Sequence, residues 1–176
     1  YRLEVFHIGK KIYLRDDKLT WQLNRDRATR APALDKFSEL GGSGDAPEWG
    51  IRNGEIFRFV GNRWVHFAEA PKDAKIVTQG SETLFVTNKD VAHVKGGKLV
   101  SLGSPTNARY AIDYVGVAVE GGTVLALTSW GQEFRLSEGQ DPVASADHER
   151  TSAVSHGAPM SASKCMGSIR LVYAGT

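Results

Sequence analysis

Aromatic side chains are the residues of this sequence whose chemistry best suits a polar ligand such as a sugar. One face of a pyranose ring carries C–H groups that stack on an aromatic ring, while nearby polar groups bind its hydroxyls. Trp21 and Trp64 occupy corresponding positions of a repeat, so packing between repeats is the alternative role for this pair. The residues from which we expect ligand contacts are Trp130, Trp64, Trp49, Trp21 and Tyr110.

Cys165 is the only cysteine, and it offers a nucleophilic alternative. Lys164 beside it would favour the thiolate, and His156 upstream would act as the base. No catalytic signature surrounds this cysteine, and a lone cysteine is more often a small apolar filler of a core. The sequence therefore identifies no catalytic residue, and a cysteine-dependent hydrolase that uses Cys165 and His156 stays an alternative.

The histidines do not form a metal-binding motif, because none of the five has another at the i, i+4 spacing of a helical zinc site. The glycine-rich residues 41–44 follow a predicted helix instead of leading into one. They therefore cannot offer the amides of a helix N-terminus to a phosphate. We predict neither a metal nor a cofactor.

Length and composition fit one globular domain, since the chain has 176 residues, of which 41% are hydrophobic and 24% charged. The net charge of +2 argues against a nucleic-acid partner, which would require a strongly basic face. The longest apolar runs are far shorter than the ~20 residues that span a bilayer, so we expect no membrane span. No signal peptide is visible in the chain, and secreted and cytoplasmic locations both stay open.

Apolar residues mostly alternate with polar ones, a pattern that predicts half-buried β-strands. One short helix is predicted over residues 32–40, where apolar residues follow a helical spacing between a proline and two glycines. Residues 25–30, which hold three arginines and one aspartate, predict a solvated loop.

The strands recur in four units, each with a turn, at residues 16–17, 61–62, 96–97 and 138–139. A period of about forty residues with three or four strands is typical of a β-propeller blade, whereas a β-trefoil has three units. The sequence therefore predicts an all-β, propeller-like single domain over 1–176, with units at about 1–30, 48–80, 81–110 and 111–145. A closing strand at 168–173 would pair beside residues 2–8. Alternatively, the four units are half of a larger propeller completed by a partner chain or by further sequence.

Residues 47–64, PEWGIRNGEIFRFVGNRW, resemble the tectonin repeat. Both have a Trp-Gly-Ile strand, an Asn-Gly turn, an Ile-Phe-Arg strand, a Gly-Asn turn and a closing tryptophan. Residues 71–80 look like the strand that follows in that family. The resemblance implies a β-propeller, and several tectonin-type proteins are lectins with sugar sites in the grooves between blades or on loops at one face.

Together these patterns favour a non-enzymatic, lectin-like module that binds a glycan in inter-blade grooves. A protein–protein interaction scaffold that is part of a larger secreted or effector protein is the first alternative. A homo-oligomer that completes a propeller is the further partner we expect.

Overall fold

Four antiparallel sheets of four strands each dominate the described chain. A computed structural model describes residues 3–16, 19–103, 113–129 and 131–145. In these ranges the sixteen strands are accompanied by one short 3₁₀ helix, Pro32–Leu34. The all-β prediction is confirmed, and each sheet joins its four strands in chain order.

The strand bounds follow the sequence patterns closely in most places. Sheet 1 contains β1 (Leu3–Ile8), β2 (Lys11–Asp16), β3 (Leu19–Asn24) and β4 (Arg27–Arg30). Sheet 2 contains β5 (Glu39–Gly41), β6 (Trp49–Arg52), β7 (Glu55–Val60) and β8 (Arg63–Glu69). Sheet 3 contains β9 (Lys75–Gln79), β10 (Glu82–Val86), β11 (Val91–Lys95) and β12 (Lys98–Gly103). Sheet 4 contains β13 (Tyr114–Glu120), β14 (Thr123–Thr128), β15 (Glu133–Leu136) and β16 (Val143–Ala144).

Two-residue turns fix the order of the strands. At the turn between β6 and β7, Asn53 and Gly54 both have positive φ, at 52° and 77°. This conformation matches the right-handed twist of a hairpin and favours Asn-Gly. The predicted turn at Gly61 and Asn62 is confirmed in the same way, with φ of 55° and 67°.

The described residues divide into two compact units. The first holds those up to Thr87 together with Val91–Ser101, and the second holds Asn88–Asp90 and those from Leu102 onward. No helix in the described ranges has the length and apolar character needed to cross a bilayer.

Sheets 1 and 2 pack face to face in the first unit, through a cluster of apolar side chains. The buried members of this cluster are Ile8, Tyr13, Leu34, Phe37, Leu40 and Phe57. A second cluster, of Trp49, Ile51, Ile56, Ala74 and Phe85, joins sheet 2 to sheet 3. The absence of a side chain at Gly50 makes room for Phe37 in the cluster between sheets 1 and 2, because a Cβ at position 50 would lie 2.5 Å from the Phe37 ring.

Tyr114 is a buried residue of the second unit and begins β13. Its backbone N–H donates to Asn88, and its hydroxyl donates weakly to the Gly103 carbonyl at 3.5 Å. Burial raises the pKa of Tyr114 to about 12, and the nearby Asp90 carboxylate acts in the same direction.

The predicted helix at residues 32–40 is wrong beyond its first turn. Only Pro32–Leu34 is helical, and Glu39–Gly41 is a strand. The residues between this short helix and β5 are held by both sheets. The Asp35 carboxylate accepts a hydrogen bond from the Thr20 amide of sheet 1, and the Ser38 amide donates to the Ile51 carbonyl of sheet 2. The helical spacing of its apolar residues instead places them in the cluster between sheets 1 and 2.

The predicted loop at residues 25–30 is also wrong, since Arg27–Arg30 is the edge strand β4. All four of its residues are exposed, and charged side chains are a common means of protecting a free sheet edge. Because β4 was not predicted, the first sequence repeat was aligned with the second one strand out of step. Trp21 lies on the third strand of its sheet and Trp64 on the fourth, so the two are not equivalent.

Candidate ligand-binding seam between sheets 1 and 2

The expected ligand-binding residues are distributed over different environments. Tyr110 and Trp130 lie outside the described residues, as do Cys165 and His156 of the hydrolase alternative and the closing strand predicted at 168–173. Trp21, Trp49 and Trp64 are described, and each has a different set of neighbours.

Trp49 is a core residue with 5% of its surface exposed. The rings of Phe67 and Phe85 meet it edge-on, at centroid distances of 5.1 and 5.7 Å. The Arg58 guanidinium lies 5.2 Å from its ring centre. The indole therefore fills the space between sheets 2 and 3 in this conformation, with little surface left for a ligand.

Trp21 is half-buried on the outer face of sheet 1, the face turned away from sheet 2. It pairs across the strands with Arg30, whose guanidinium lies 5.2 Å from the indole centre. The cation covers part of the ring face on which a sugar would stack.

Trp64 is half-buried at the edge of the cluster that joins sheets 1 and 2. Its ring lies 4.3 Å from Phe37 and 5.1 Å from Phe59, measured between centroids. The indole Nε1 is buried and has no hydrogen-bond partner among the described residues. Of the three described tryptophans, only Trp64 combines a half-buried ring between the two sheets with a buried indole N–H that lacks a described partner.

Arg15 projects from β2 into the same contact between sheets 1 and 2, which we call the seam. Its side chain is only 10% exposed. The Nη1 donates to the Ser38 carbonyl at 2.6 Å and lies 3.5 Å from the Glu4 carboxylate. The Nε and Nη2 are buried without a partner in the described chain. Burial lowers the pKa of Arg15, while the charges of Glu4 and Glu39 oppose this shift.

Thr20 lies directly across from Arg15 in the β2–β3 pair. Paired residues of neighbouring strands project on the same face of a sheet, so both side chains point into the seam. Thr20 is fully buried, and within the described residues its hydroxyl has no hydrogen-bond partner. The seam thus holds buried polar atoms of three side chains, Arg15, Thr20 and Trp64, that no described residue satisfies.

The ion pair of Arg30 and Asp35 links β4 to the short helix. Two hydrogen bonds of 2.9 and 2.8 Å join the guanidinium to both carboxylate oxygens. These bonds lower the pKa of Asp35 and raise that of Arg30. Because Asp35 also accepts the Thr20 amide, the ion pair fixes the strand that carries Thr20.

Aromatic and cationic side chains make up the described lining of this seam. Arg52 adds a guanidinium 4.2 Å from the Phe57 ring centre. In the described part of the chain, no group of three or more His, Cys, Asp or Glu side chains could hold a metal.

Arg15 and Thr20 are functional candidates that the aromatic pattern did not reveal. The alternation of the strand could have revealed Arg15, because residues two apart in a strand project on the same face. Arg15 is two residues after Tyr13, so both project on the same face of β2. A charged residue in phase with buried apolar residues indicates a cation directed into the core.

A comparison with protein-family models and with curated proteins found no match to this chain.

Proposed function

We propose that this protein is a non-enzymatic, lectin-like module that binds a glycan in the seam between sheets 1 and 2. The supporting observation is the set of buried polar atoms on Arg15, Thr20 and Trp64 that lack partners in the described chain. Leaving such atoms unsatisfied costs about 1–3 kcal/mol each. A polar ligand that enters the seam recovers this free energy.

Sugar hydroxyls match the chemistry of these atoms. The Trp64 Nε1–H and the Arg15 N–H groups are donors, and the Thr20 hydroxyl both donates and accepts. A sugar hydroxyl can likewise act in both ways, and the adjacent indole offers a surface for its C–H face. The tectonin-like residues 47–64 form much of sheet 2, the sheet that carries Trp64.

A glycan array followed by calorimetry tests this proposal. We expect at least one glycan to bind the intact protein, and Trp64→Phe to weaken that binding by at least about tenfold, since the donor is lost. The matched control is Val65→Ala, the next residue on β8, which is exposed. Equal affinity for both variants, or an array without hits, would contradict a sugar site at this seam.

We also propose that the four sheets are the blades of a β-propeller. Each is a four-stranded antiparallel meander, and the four follow one another in chain order. Blades of this kind bury their faces by stacking in series, as sheets 1, 2 and 3 do. A crystal structure of the intact chain tests this fold: we expect the four sheets to radiate from one axis, and a separate sandwich would contradict it.

A protein-interaction scaffold is the second candidate. It is favoured by large apolar side chains that sheet 1 exposes on the face opposite the seam, since contiguous exposed apolar surface marks interaction sites.

A further inference from the structure

The nitrogens of Arg15 that lack partners lie along one edge of its guanidinium. This group is planar and presents its Nε–H and one Nη2–H in parallel along a single edge, with Nη1 on the other side. In Arg15, Nη1 donates to the Ser38 carbonyl at 2.6 Å and lies 3.5 Å from the Glu4 carboxylate. The Nε and Nη2 are buried without a partner in the described chain. The unpartnered pair therefore forms the edge that matches the two oxygens of a carboxylate.

Arg15 is the middle member of a polar row that crosses sheet 1. The strand register pairs Glu4 with Arg15 and Arg15 with Thr20, and directly paired residues share a face. At one end of the row the side chain of Glu4 is 48% exposed. At the other end the Thr20 hydroxyl is buried, again without a hydrogen-bond partner among the described residues. The row therefore leads from an exposed carboxylate to buried atoms that a ligand could bind.

The positive charge of Arg15 is only partly balanced within the described chain. The carboxylates whose charges act on it are those of Glu4 and Glu39. Glu39 is already bound to the Lys75 ammonium at 2.7 Å. Glu4 lies at 3.5 Å and is half-exposed, and ion pairs in contact with water contribute little free energy. A better-placed anion on the free edge of the guanidinium would therefore be stabilised.

Arg52 brings a second cation to the seam from sheet 2. Its guanidinium lies 4.2 Å from the ring centre of Phe57 and 5.3 Å from that of Phe37, two members of the cluster between sheets 1 and 2. It forms no ion pair with any residue that the structure describes. Both sheets thus place an arginine at the seam, and this arrangement favours an anionic ligand over a neutral one.

We propose that the glycan bound in the seam is acidic, and that the Nε–H and Nη2–H of Arg15 donate to the two oxygens of its carboxylate. This inference rests on the glycan site proposed above and names its class of ligand: sugars that carry a carboxylate, such as uronic and sialic acids. The Thr20 hydroxyl, across from Arg15, would bind a neighbouring hydroxyl of the same sugar. A neutral sugar would leave the edge of the guanidinium unpaired, and an unpaired buried donor discriminates strongly against such a ligand.

An array that carries uronic- and sialic-acid glycans beside their carboxyl methyl esters tests the proposal on the unaltered protein. The ester keeps the sugar ring and its hydroxyls and removes only the charge. We expect the acids to bind at least about tenfold more tightly than their esters, because the charge-assisted pair is lost in the ester. Sulfated sugars on the same array distinguish a carboxylate from another anion, and we expect them to bind more weakly than the acids.

Substitutions locate the carboxylate, with affinities for one acidic glycan and its ester measured by calorimetry. Arg15→Met keeps the volume of the side chain and should reduce the affinity for the acid to that for the ester. Arg27→Met, on the exposed strand β4, is the matched control and should keep the preference. Glu4→Gln removes the competing carboxylate and should strengthen binding of the acid about two- to fivefold without changing that of the ester. Circular dichroism verifies folding, and if Arg15→Met does not fold, Glu4→Gln carries the test.

Several outcomes would overturn the proposal. Equal affinities for acid and ester contradict it, as does a preference that survives Arg15→Met or is lost in Arg27→Met. Tighter binding of sulfated sugars, or weaker binding of the acid by Glu4→Gln, contradicts it as well. All of these leave the glycan site in place as long as Trp64→Phe weakens binding. An array without any hit contradicts the glycan site and this inference together.

Discussion

Arg15 shows at the scale of one residue how the seam balances charge against burial. Its guanidinium is withdrawn from water and held by the Ser38 carbonyl, with Glu4 nearby and the Phe6 ring 4.8 Å from its centre. Desolvation of a cation is costly, and truncating a partly satisfied buried charge leaves its neighbours without a partner.

Arg15→Ala should destabilise the protein by about 2–4 kcal/mol, because it removes both the hydrogen bond to Ser38 and the packing of the side-chain stem. Arg15→Met should cost less, since it keeps the volume and removes the buried charge. Urea denaturation measures both, with Arg27→Ala on the exposed edge strand as the control. Equal stability of Arg15→Ala and Arg27→Ala would show that the Arg15 contacts contribute nothing.

Asp35 gives the fold a defined dependence on acid. Its pKa is lowered from the usual 3.8, chiefly by the hydrogen bonds from Arg30, so the folded state favours the ionised carboxylate. The resulting stability is fully present above about pH 4 and is lost as the pH falls through the lower pKa of the folded state.

Asp35→Asn should therefore be less stable than the wild type at neutral pH, and the difference should shrink below about pH 4. Free energies of unfolding measured from neutral to acidic pH test this expectation. Asp26→Asn, in the exposed turn between β3 and β4, should show no such convergence. A constant difference between Asp35→Asn and the wild type across this range would exclude the ion pair as its source.

At the scale of the elements, sequence periodicity predicted the strands wherever one face is buried and the turn contains glycine. Residues 47–64 show this best, since alternation and the Asn-Gly and Gly-Asn turns define β6, β7 and the start of β8. It failed at β4, whose four exposed residues include only one apolar side chain, Ala28, and at β5, whose residues continue an apparent helical spacing. Both strands are held by backbone pairing, β4 with β3 and β5 with β6, and hydrophobic periodicity does not register such pairing.

The same limit applied to the candidate site. The aromatic pattern singled out the tryptophans, but only tertiary packing separates the core residue Trp49 from Trp64 in the seam. The misplaced strand β4 also made Trp21 and Trp64 look equivalent, whereas they lie on different strands of their sheets. Arg15 and Thr20 became candidates once the strand register placed them opposite each other.

The packing of β6 against the segment before β5 depends on Gly50. Gly50→Ala should destabilise the protein by about 1–3 kcal/mol, since the added Cβ would lie 2.5 Å from the buried Phe37 ring. Gly44→Ala is the control, because its Cβ would meet only the Glu48 carboxylate at 3.3 Å. Thermal and urea unfolding of both variants measure the difference, and a neutral Gly50→Ala would mean that Phe37 can move aside.

At the scale of the whole molecule, sheet 1 is bounded by two surfaces of different character. The seam on one side holds buried polar atoms of Arg15 and Thr20, and the outer face on the other side exposes Leu3 and Val5. Sequence alternation indicated that strands were present, but in β1 and β2 both phases of the alternation contain apolar residues, and in β3 only the phase that faces away from sheet 2 is apolar. Which phase is covered followed only from the packing of sheet 2.

The most direct test of the proposed glycan site is the indole N–H region of a nitrogen-15 NMR spectrum, recorded as a glycan from the array is titrated into the intact protein. Single Trp→Phe variants assign the four tryptophan signals. A site at the seam predicts that the Trp64 Nε1–H resonance moves as the glycan saturates, while that of the core residue Trp49 stays in place. A saturating glycan that leaves the Trp64 resonance unmoved would contradict it.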